Sequence, residues 1–448
     1  MGEFEAKENR NVYVWAGLIS FGLCIMLHLI LKYVFGKKKT EKEMNETPTD
    51  TGVPASQPEK KAVETRASTK NKKRAPWKGK TDFNHPWMYK NLKGHPGTVL
   101  NVDFSANGKF MAATCDDGSV LLWDIRDLSQ KENKNLRVNI EFDHASHVAW
   151  SPDSKAFILH LVQGNHIVVY KIEKKKDGTI GSATPVINFD KVHEDDVIGF
   201  GISSNGKFLM SCSSKTDMVI WDLKGQQLCR LDTYLMSTHT AKISPCGRFV
   251  VATGFSPDVK IMEVVFTKSG EFKHVVKAYE LSGHSSGIYD VAFAVDTSHI
   301  ATISKDGTWK LYHTNIDYTR GESPHVLETG RYTQSANPPR IALSPNAEVL
   351  AVAVDSNVEF YDTYTGELYD TVENIYTGLI NDMHFDPSGK YLFVAGDRVV
   401  RVLHNVCGYY TTIATATRLL KTKQTSATQE RLNKTIEECK KTLAEFGK

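Results

Sequence analysis

Three stretches of this chain carry residues at spacings that chemistry uses. Gly283-His284-Ser285-Ser286-Gly287 has the spacing of a nucleophile elbow, in which a strand-to-helix turn exposes a serine. Gly201-Ile202-Ser203-Ser204-Asn205-Gly206-Lys207 has the glycine and lysine spacing of a phosphate-binding loop. Lys72, Lys73, Arg74 and Lys78 alternate with Trp77 and Trp87, a mixture that holds RNA or anionic lipid headgroups by charge and stacking. The first two fail on their surroundings. Alternating apolar residues follow Gly287, so a strand and not a helix comes after the serine. Phe208 follows Lys207 where a magnesium-binding Ser or Thr is needed, and no helix follows to receive phosphate. That stretch reads as a hairpin turn. The third leaves two readings open: an RNA or lipid contact through Lys72, Lys73, Arg74, Trp77, Lys78 and Trp87, or a solvated spacer whose aromatics dock onto the domain that follows.

The flanking pattern shows what positions these residues. Between Gly283 and His313 three apolar runs occur: Ile288-Tyr289-Asp290-Val291-Ala292-Phe293, Ile300-Ala301-Thr302-Ile303 and Trp309-Lys310-Leu311-Tyr312. Alternation with period two marks strands, and Lys305-Asp306-Gly307 marks a tight turn. The unit recurs. It runs from Gly94-His95 to Trp123-Asp124, ends at Val168-Val169-Tyr170, spans His193 to Trp221-Asp222, and returns from His239 to Val259-Lys260-Ile261. After Gly283–His313 it ends twice more, at Phe360-Tyr361-Asp362 and at Val399-Val400-Arg401-Val402. Seven repeats at a period of roughly 40–50 residues predict an all-β fold, a seven-bladed WD40 β-propeller with four strands per blade. A closed ring leaves no unpaired sheet edge between its blades. Met88-Tyr89-Lys90-Asn91-Leu92, which precedes the first repeat, is expected to complete the last blade.

In WD repeats a His after the Gly, a Ser on the second strand, an Asp in the next turn and a Trp on the third strand share a buried hydrogen-bond network. The candidates are His95, Asp117 and Trp123 in the first repeat, with Cys115 in the Ser place. In the third they are His193 and Trp221, with Lys215 in the Asp place. In the fifth they are His284, Ser304, Asp306 and Tyr312. On this reading the network is complete nowhere, and its residues have a structural role. No catalytic, metal or cofactor site and no small-molecule substrate are expected.

The ends of the chain differ in character. Residues 12–31, VYVWAGLISFGLCIMLHLIL, carry no formal charge and match the length of a membrane-crossing helix. Lys32 and Lys37-Lys38-Lys39 follow, so residues 1–11 are expected in the lumen and everything after Lys32 in the cytosol. Gly36 to Lys80 holds thirteen Lys or Arg against six Asp or Glu, a surplus of seven positive charges. The whole chain has net charge +3, which leaves the rest at −4. Residues 32–82 are therefore read as a basic, disordered tether and 83–405 as the propeller. Seven cysteines show no metal spacing, as free thiols in a reducing compartment would. Residues 406–448 are read as a helical extension. Its core is an amphipathic helix from Ser426, with Ser426-Ala427-Thr428-Gln429 as capping box and Leu432, Ile436, Cys439, Leu443 and Phe446 as apolar stripe.

The runs HASHVAWSPDSKAFI, SPCGRFVVATGFSPDVKIMEVVFTKSGEF, SKDGTWKLYHTNIDY, ALSPNAEVLAVA and AGDRVVRVLHN resemble the transducin beta-like family of membrane-anchored WD-repeat proteins. The resemblance covers about residue 83 to 448. It implies a single-pass protein of the endoplasmic-reticulum (ER) membrane with a cytosolic propeller. It further implies a non-enzymatic adaptor in unfolded-protein-response signalling and translational control. The implied partners are an ER-stress kinase and ribosomes or RNA. A membrane-tethered scaffold is thus the first functional reading. An RNA- or ribosome-binding factor that uses the tether is the second.

Overall fold

A computed structural model describes residues 83–447. The expected lumenal segment, membrane span and tether lie outside the described residues, as do Lys72, Lys73, Arg74, Trp77 and Lys78. The described chain forms seven four-stranded antiparallel sheets, six of them meanders of four consecutive strands. Their innermost strands are β2 (Val99–Phe104), β6 (Ala145–Trp150), β10 (Val197–Ile202), β14 (Thr238–Ile243), β18 (Ile288–Phe293), β22 (Arg340–Leu343) and β26 (Asp382–Phe385). Each abuts the next, and β26 meets β2, so the ring is closed.

Local chemistry sets the turns. In blade one Ser105 Oγ accepts the Phe110 N–H (2.9 Å), and Asn107 Oδ1 accepts the Lys109 N–H (2.9 Å). Gly108 then takes φ 65°, a left-handed conformation that glycine adopts at little cost. The same serine bond recurs from Ser203 to Phe208, Ser244 to Phe249 and Ser344 to Val349. The second strand of each blade is sandwiched between neighbouring blades. FMAATC (110–115), FVVATG (249–254) and VLAVAV (349–354) are accordingly buried at every position. The core thus lies between blades. Phe157 and Leu159 of blade two pack with Phe110, Ala112 and Leu122 of blade one. Each such side chain stabilises by roughly 1.5–3 kcal/mol through burial.

The last blade is built from both ends of the domain. β1 (Met88–Lys93) pairs antiparallel with β28 (Val399–His404), Leu92 opposite Val400, in the order β1-β28-β27-β26 with β27 at Tyr391–Gly396. Because neighbouring strands in every blade are antiparallel, a blade's second turn and its link to the next blade lie on one face, here called the front. The first and third turns lie on the back. β1 is an outermost strand and β28 a third strand, so the described chain begins at the back and leaves β28 at the back.

Two helices follow. α1 (Val406–Leu420) starts where the Asn405 side chain accepts the Gly408 N–H at 2.9 Å. α2 (Ser426–Glu445) is capped by Thr425, whose hydroxyl accepts the Thr428 N–H at 3.3 Å. The cap thus falls one residue before the expected Ser426. α2 packs on α1. Val406 and Cys407 of α1, with Leu443 and Phe446 at the far end of α2, join the apolar cluster between blades six and seven. Among the described residues no helix is long and apolar enough to cross a membrane.

Candidate functional site

The histidines of the expected networks lie in the links on the front of the ring, where links and second turns meet. Blade three holds a complete network. His193 Nε2 lies 2.7 Å from Ser211 Oγ, which also accepts the Trp221 indole N–H at 2.9 Å. His193 Nδ1 lies 2.6 Å from Asp217 Oδ2, and Arg230 clamps the same carboxylate. This corrects the expectation that Lys215 stands in the Asp place. Lys215 pairs with Asp195 at 3.0 Å, and the carboxylate comes from the first residue of the third strand. Burial lowers the His193 pKa, and the bond to Asp217 opposes that shift.

Blade five differs from expectation at one residue. His284 Nε2 meets Thr302 Oγ1 at 2.8 Å and His284 Nδ1 meets Asp306 at 3.0 Å. Ser304 instead donates to the Ser286 and Gly287 carbonyls, and the Tyr312 hydroxyl donates to the Ser282 carbonyl at 3.1 Å. Thr302, not Ser304, is the network hydroxyl. Burial works against ionised Asp306, but the Thr308 hydroxyl and backbone N–H groups outweigh it and hold the carboxyl at about 2.

Blade one is incomplete. Ser211 and Thr302 each stand eighteen residues after their histidine, and at the same offset from His95 stands Ala113. His95 Nε2 and Trp123 Nε1 are consequently buried without hydrogen-bond partners. Cys115 approaches the other ring nitrogen at 3.1 Å, while Asp117 bonds Ser119 and Arg137. Burial pushes His95 down to about 4.

The channel lining brings together residues that the sequence reading did not single out. Asp103, His147, Lys242, Asp290, Asp382 and His384 border a cavity of about 630 Å³. An innermost strand has an unpaired edge, and these side chains satisfy it from the neighbouring blade. Asp103 accepts the Trp150 N–H at 2.7 Å, Asp290 the Ile341 N–H at 3.0 Å, and Asp382 the Val102 N–H at 3.0 Å. Lys242 pairs with Asp290 at 2.9 Å and donates to the Val291 carbonyl at 2.6 Å. Removal from bulk water raises Asp103 to about 6. The same removal acts on Asp382, but His384 at 3.3 Å overrides it and keeps that carboxylate ionised. The carboxylates and the lysine thus join one blade to the next. The signal was an Asp or Asn on the innermost strand, at positions 101, 103, 290 and 382.

The remaining motifs resolve as follows. Gly283–Gly287 leads into β18, and Ser203–Gly206 is the turn after β10, closed by the Gly206 N–H on the Ser203 carbonyl at 2.9 Å. Trp87, expected as a stacking platform, is 1% exposed and sits edge-on to Phe360 at 5.3 Å. It belongs to the core between blades six and seven and presents no face to a base or headgroup.

The model of the WD domain, G-beta repeat, matches residues 87–124, 276–313 and 371–403. Human transducin beta-like protein 2 is 41% identical over 368 residues, 82% of each chain. The chain belongs to the transducin beta-like protein 2 family. The mouse member is 40% identical over 366 residues, 82% of this chain and 83% of its own. More distant similarity reaches ribosome biogenesis protein ERB1 of Chaetomium globosum, 28% identical over 138 residues, 31% of this chain and 16% of that protein. Blade three, whose network is complete, lies outside the segments that the repeat model matches.

Proposed function

We propose that this chain is a membrane-tethered, non-enzymatic WD40 scaffold at the cytosolic face of the ER. It acts as an adaptor in unfolded-protein-response signalling and translational control, and it binds proteins through the propeller faces. One observation carries the reading: the side chains that could do chemistry are engaged in holding blades together. His193, His284 and Asp306 sit in buried networks, and Asp103, Asp290 and Asp382 join blade to blade. The loops are left free to bind. Residues 12–31 provide the anchor, and the lysines after them favour the cytosolic side for the propeller. The free thiols Cys115, Cys212, Cys229, Cys246 and Cys439 suit a reducing compartment. On the strength of the family resemblance, the partners include an ER-stress kinase and ribosome-associated factors.

The test is proximity labelling from the full-length protein in cells, compared with a chain lacking Met1–Lys39. Neighbours at the cytosolic surface of the ER should be lost with the anchor. Identical neighbour sets would refute the tethered scaffold. RNA binding by the tether is the second reading. With Trp87 interior it rests on Lys72, Lys73, Arg74, Trp77 and Lys78, and one distant relative is named as a ribosome biogenesis protein. Its signature is affinity for RNA that falls steeply as salt rises, with a log–log slope of about −0.7 per phosphate contacted.

A further inference from the structure

Three of the most exposed large apolar side chains share an unusual backbone. Phe142, Tyr234 and Met236 are 93, 80 and 78% exposed, and their φ angles are 60°, 53° and 64°. A bulky residue at positive φ is an outlier that persists where the surroundings hold it in place. All three lie in links between blades, so all face the front. Two of them share one link, between blades three and four, and a third apolar side chain stands beside them. Phe255, 62% exposed, lies in the second turn of blade four, and its N–H donates to the Ser237 carbonyl at 3.0 Å. Leu235 is fully buried and pins the link. Gly254 permits the close approach of the two loops, because a Cβ there would stand 2.0 Å from the Ser237 oxygen.

We infer that Tyr234, Met236 and Phe255 form a docking patch for a separate protein's basic segment with an apolar anchor. The charge around the patch selects that occupant. In the front loops of blades three and four, carboxylates outnumber lysines five to two. Asp258 belongs to one patch loop, Asp232 ends the strand that leads into the other, and Asp196 is exposed on the adjoining link. Lys215, also adjoining, is paired with Asp195 at 3.0 Å. Such a surface repels phosphates and favours Lys and Arg. The patch faces away from the back, where the described chain begins and where it leaves β28, so neither covers it. The inference rests on the scaffold reading and is separable from it. A chain with an inert patch could still recruit partners elsewhere, and the labelling comparison above would still detect them.

The experiment measures fluorescence anisotropy with the full-length protein in nanodiscs. The probes are a Lys/Arg-rich peptide carrying Trp and Leu, the same peptide with those two replaced by Ser, an acidic peptide keeping Trp and Leu, and an oligo-U RNA. Tyr234→Asn with Met236→Asn removes the apolar surface at positions where Asn tolerates positive φ, so the fold is retained. This double variant should weaken the basic anchored peptide by about tenfold or more, equal to ~1.4 kcal/mol, without lowering the thermal midpoint. Asp232→Asn with Asp258→Asn should weaken it at low salt and much less at high salt. Equal binding by wild type and the Tyr234/Met236 variant would overturn the inference. So would preference for the acidic peptide, the Ser-substituted peptide or RNA.

Discussion

Ser211→Ala should show how much the buried network of blade three contributes. The hydroxyl is the only atom removed, and it serves both His193 Nε2 at 2.7 Å and the Trp221 indole at 2.9 Å. Both partners are nearly inaccessible, at 3 and 2% exposure, so water cannot replace it. Each orphaned buried group costs ~1–3 kcal/mol, and two acting together suggest about 2–4 kcal/mol. Unfolding entropy near 2.1 cal/mol/K per residue, over roughly 365 described residues, gives ~0.8 kcal/mol/K. The thermal midpoint should therefore fall by about 3–5 °C. Blade one supplies the reciprocal test. Ala113→Ser puts a hydroxyl where His95 Nε2 and Trp123 Nε1 lack partners, and should raise stability by ~1 kcal/mol. The assay is thermal and denaturant unfolding of the same full-length preparations. A cost below about 0.5 kcal/mol for Ser211→Ala, or an equal loss from Ala113→Ser, would refute the shared geometry.

Acid should destabilise the propeller in a defined window. Burial pushes His95 and His160 from 6.5 to about 4, so they are held neutral in the fold; their contribution is full above 6.5 and is lost as pH falls toward 4. Asp103, raised from 3.8 to about 6, works the other way between those values, because protonation relieves it. His147 is pushed down to about 4 by burial in the same way, so with three histidines against one carboxyl, midpoints measured from pH 7.5 to 4 should fall mainly below 6.5, and replacing His160 with Gln should flatten the fall. Leu443→Ala, at the buried end of α2, should cost ~2–4 kcal/mol, and an unchanged midpoint would detach the helix from the propeller's stability. A chain beginning at Gly94 lacks β1 and exposes the edge of β28, so it should aggregate or unfold at lower temperature in gel-filtration and melting experiments.

The repeats were legible because period-two alternation returns seven times and Ser-x-Asn-Gly or Ser-Pro turns return five times, with Asp296-Thr297 and Asp386-Pro387-Ser388-Gly389 in the other two blades, each dictated by local geometry. The network residues were less so. Thr302 and Ser304 are both hydroxyls two residues apart on one strand, so they project from the same face of the sheet and alternation cannot choose between them. Only the constant offset of eighteen residues from the histidine separates them. Asp217 was missed because it stands six residues after Ser211, where Asp306 stands four after Thr302, so the carboxylate lies on the first residue of the third strand and not in the turn. Helix α1 carries Thr, Ile, Val and Tyr, poor helix formers, and forms where Asn405 caps it and Val406 and Cys407 are buried. Trp87 looked like part of a basic, aromatic tether because sequence neighbours give no sign of burial between two distant blades.

The central claim, a propeller held at the cytosolic face by residues 12–31, is tested most directly by glycosylation. The sequence carries two acceptor sequons, Asn45-Glu46-Thr47 close to the span and Asn433-Lys434-Thr435 on α2, exposed at Asn433, and Pro54→Asn creates a third with Ala55 and Ser56, farther from the span. The full-length protein carrying the change is expressed in cells, treated with a glycosidase and compared by gel mobility. The account predicts no shift from any of the three sites. A shift would put the propeller in the lumen, contradicting the orientation and every cytosolic partner with it.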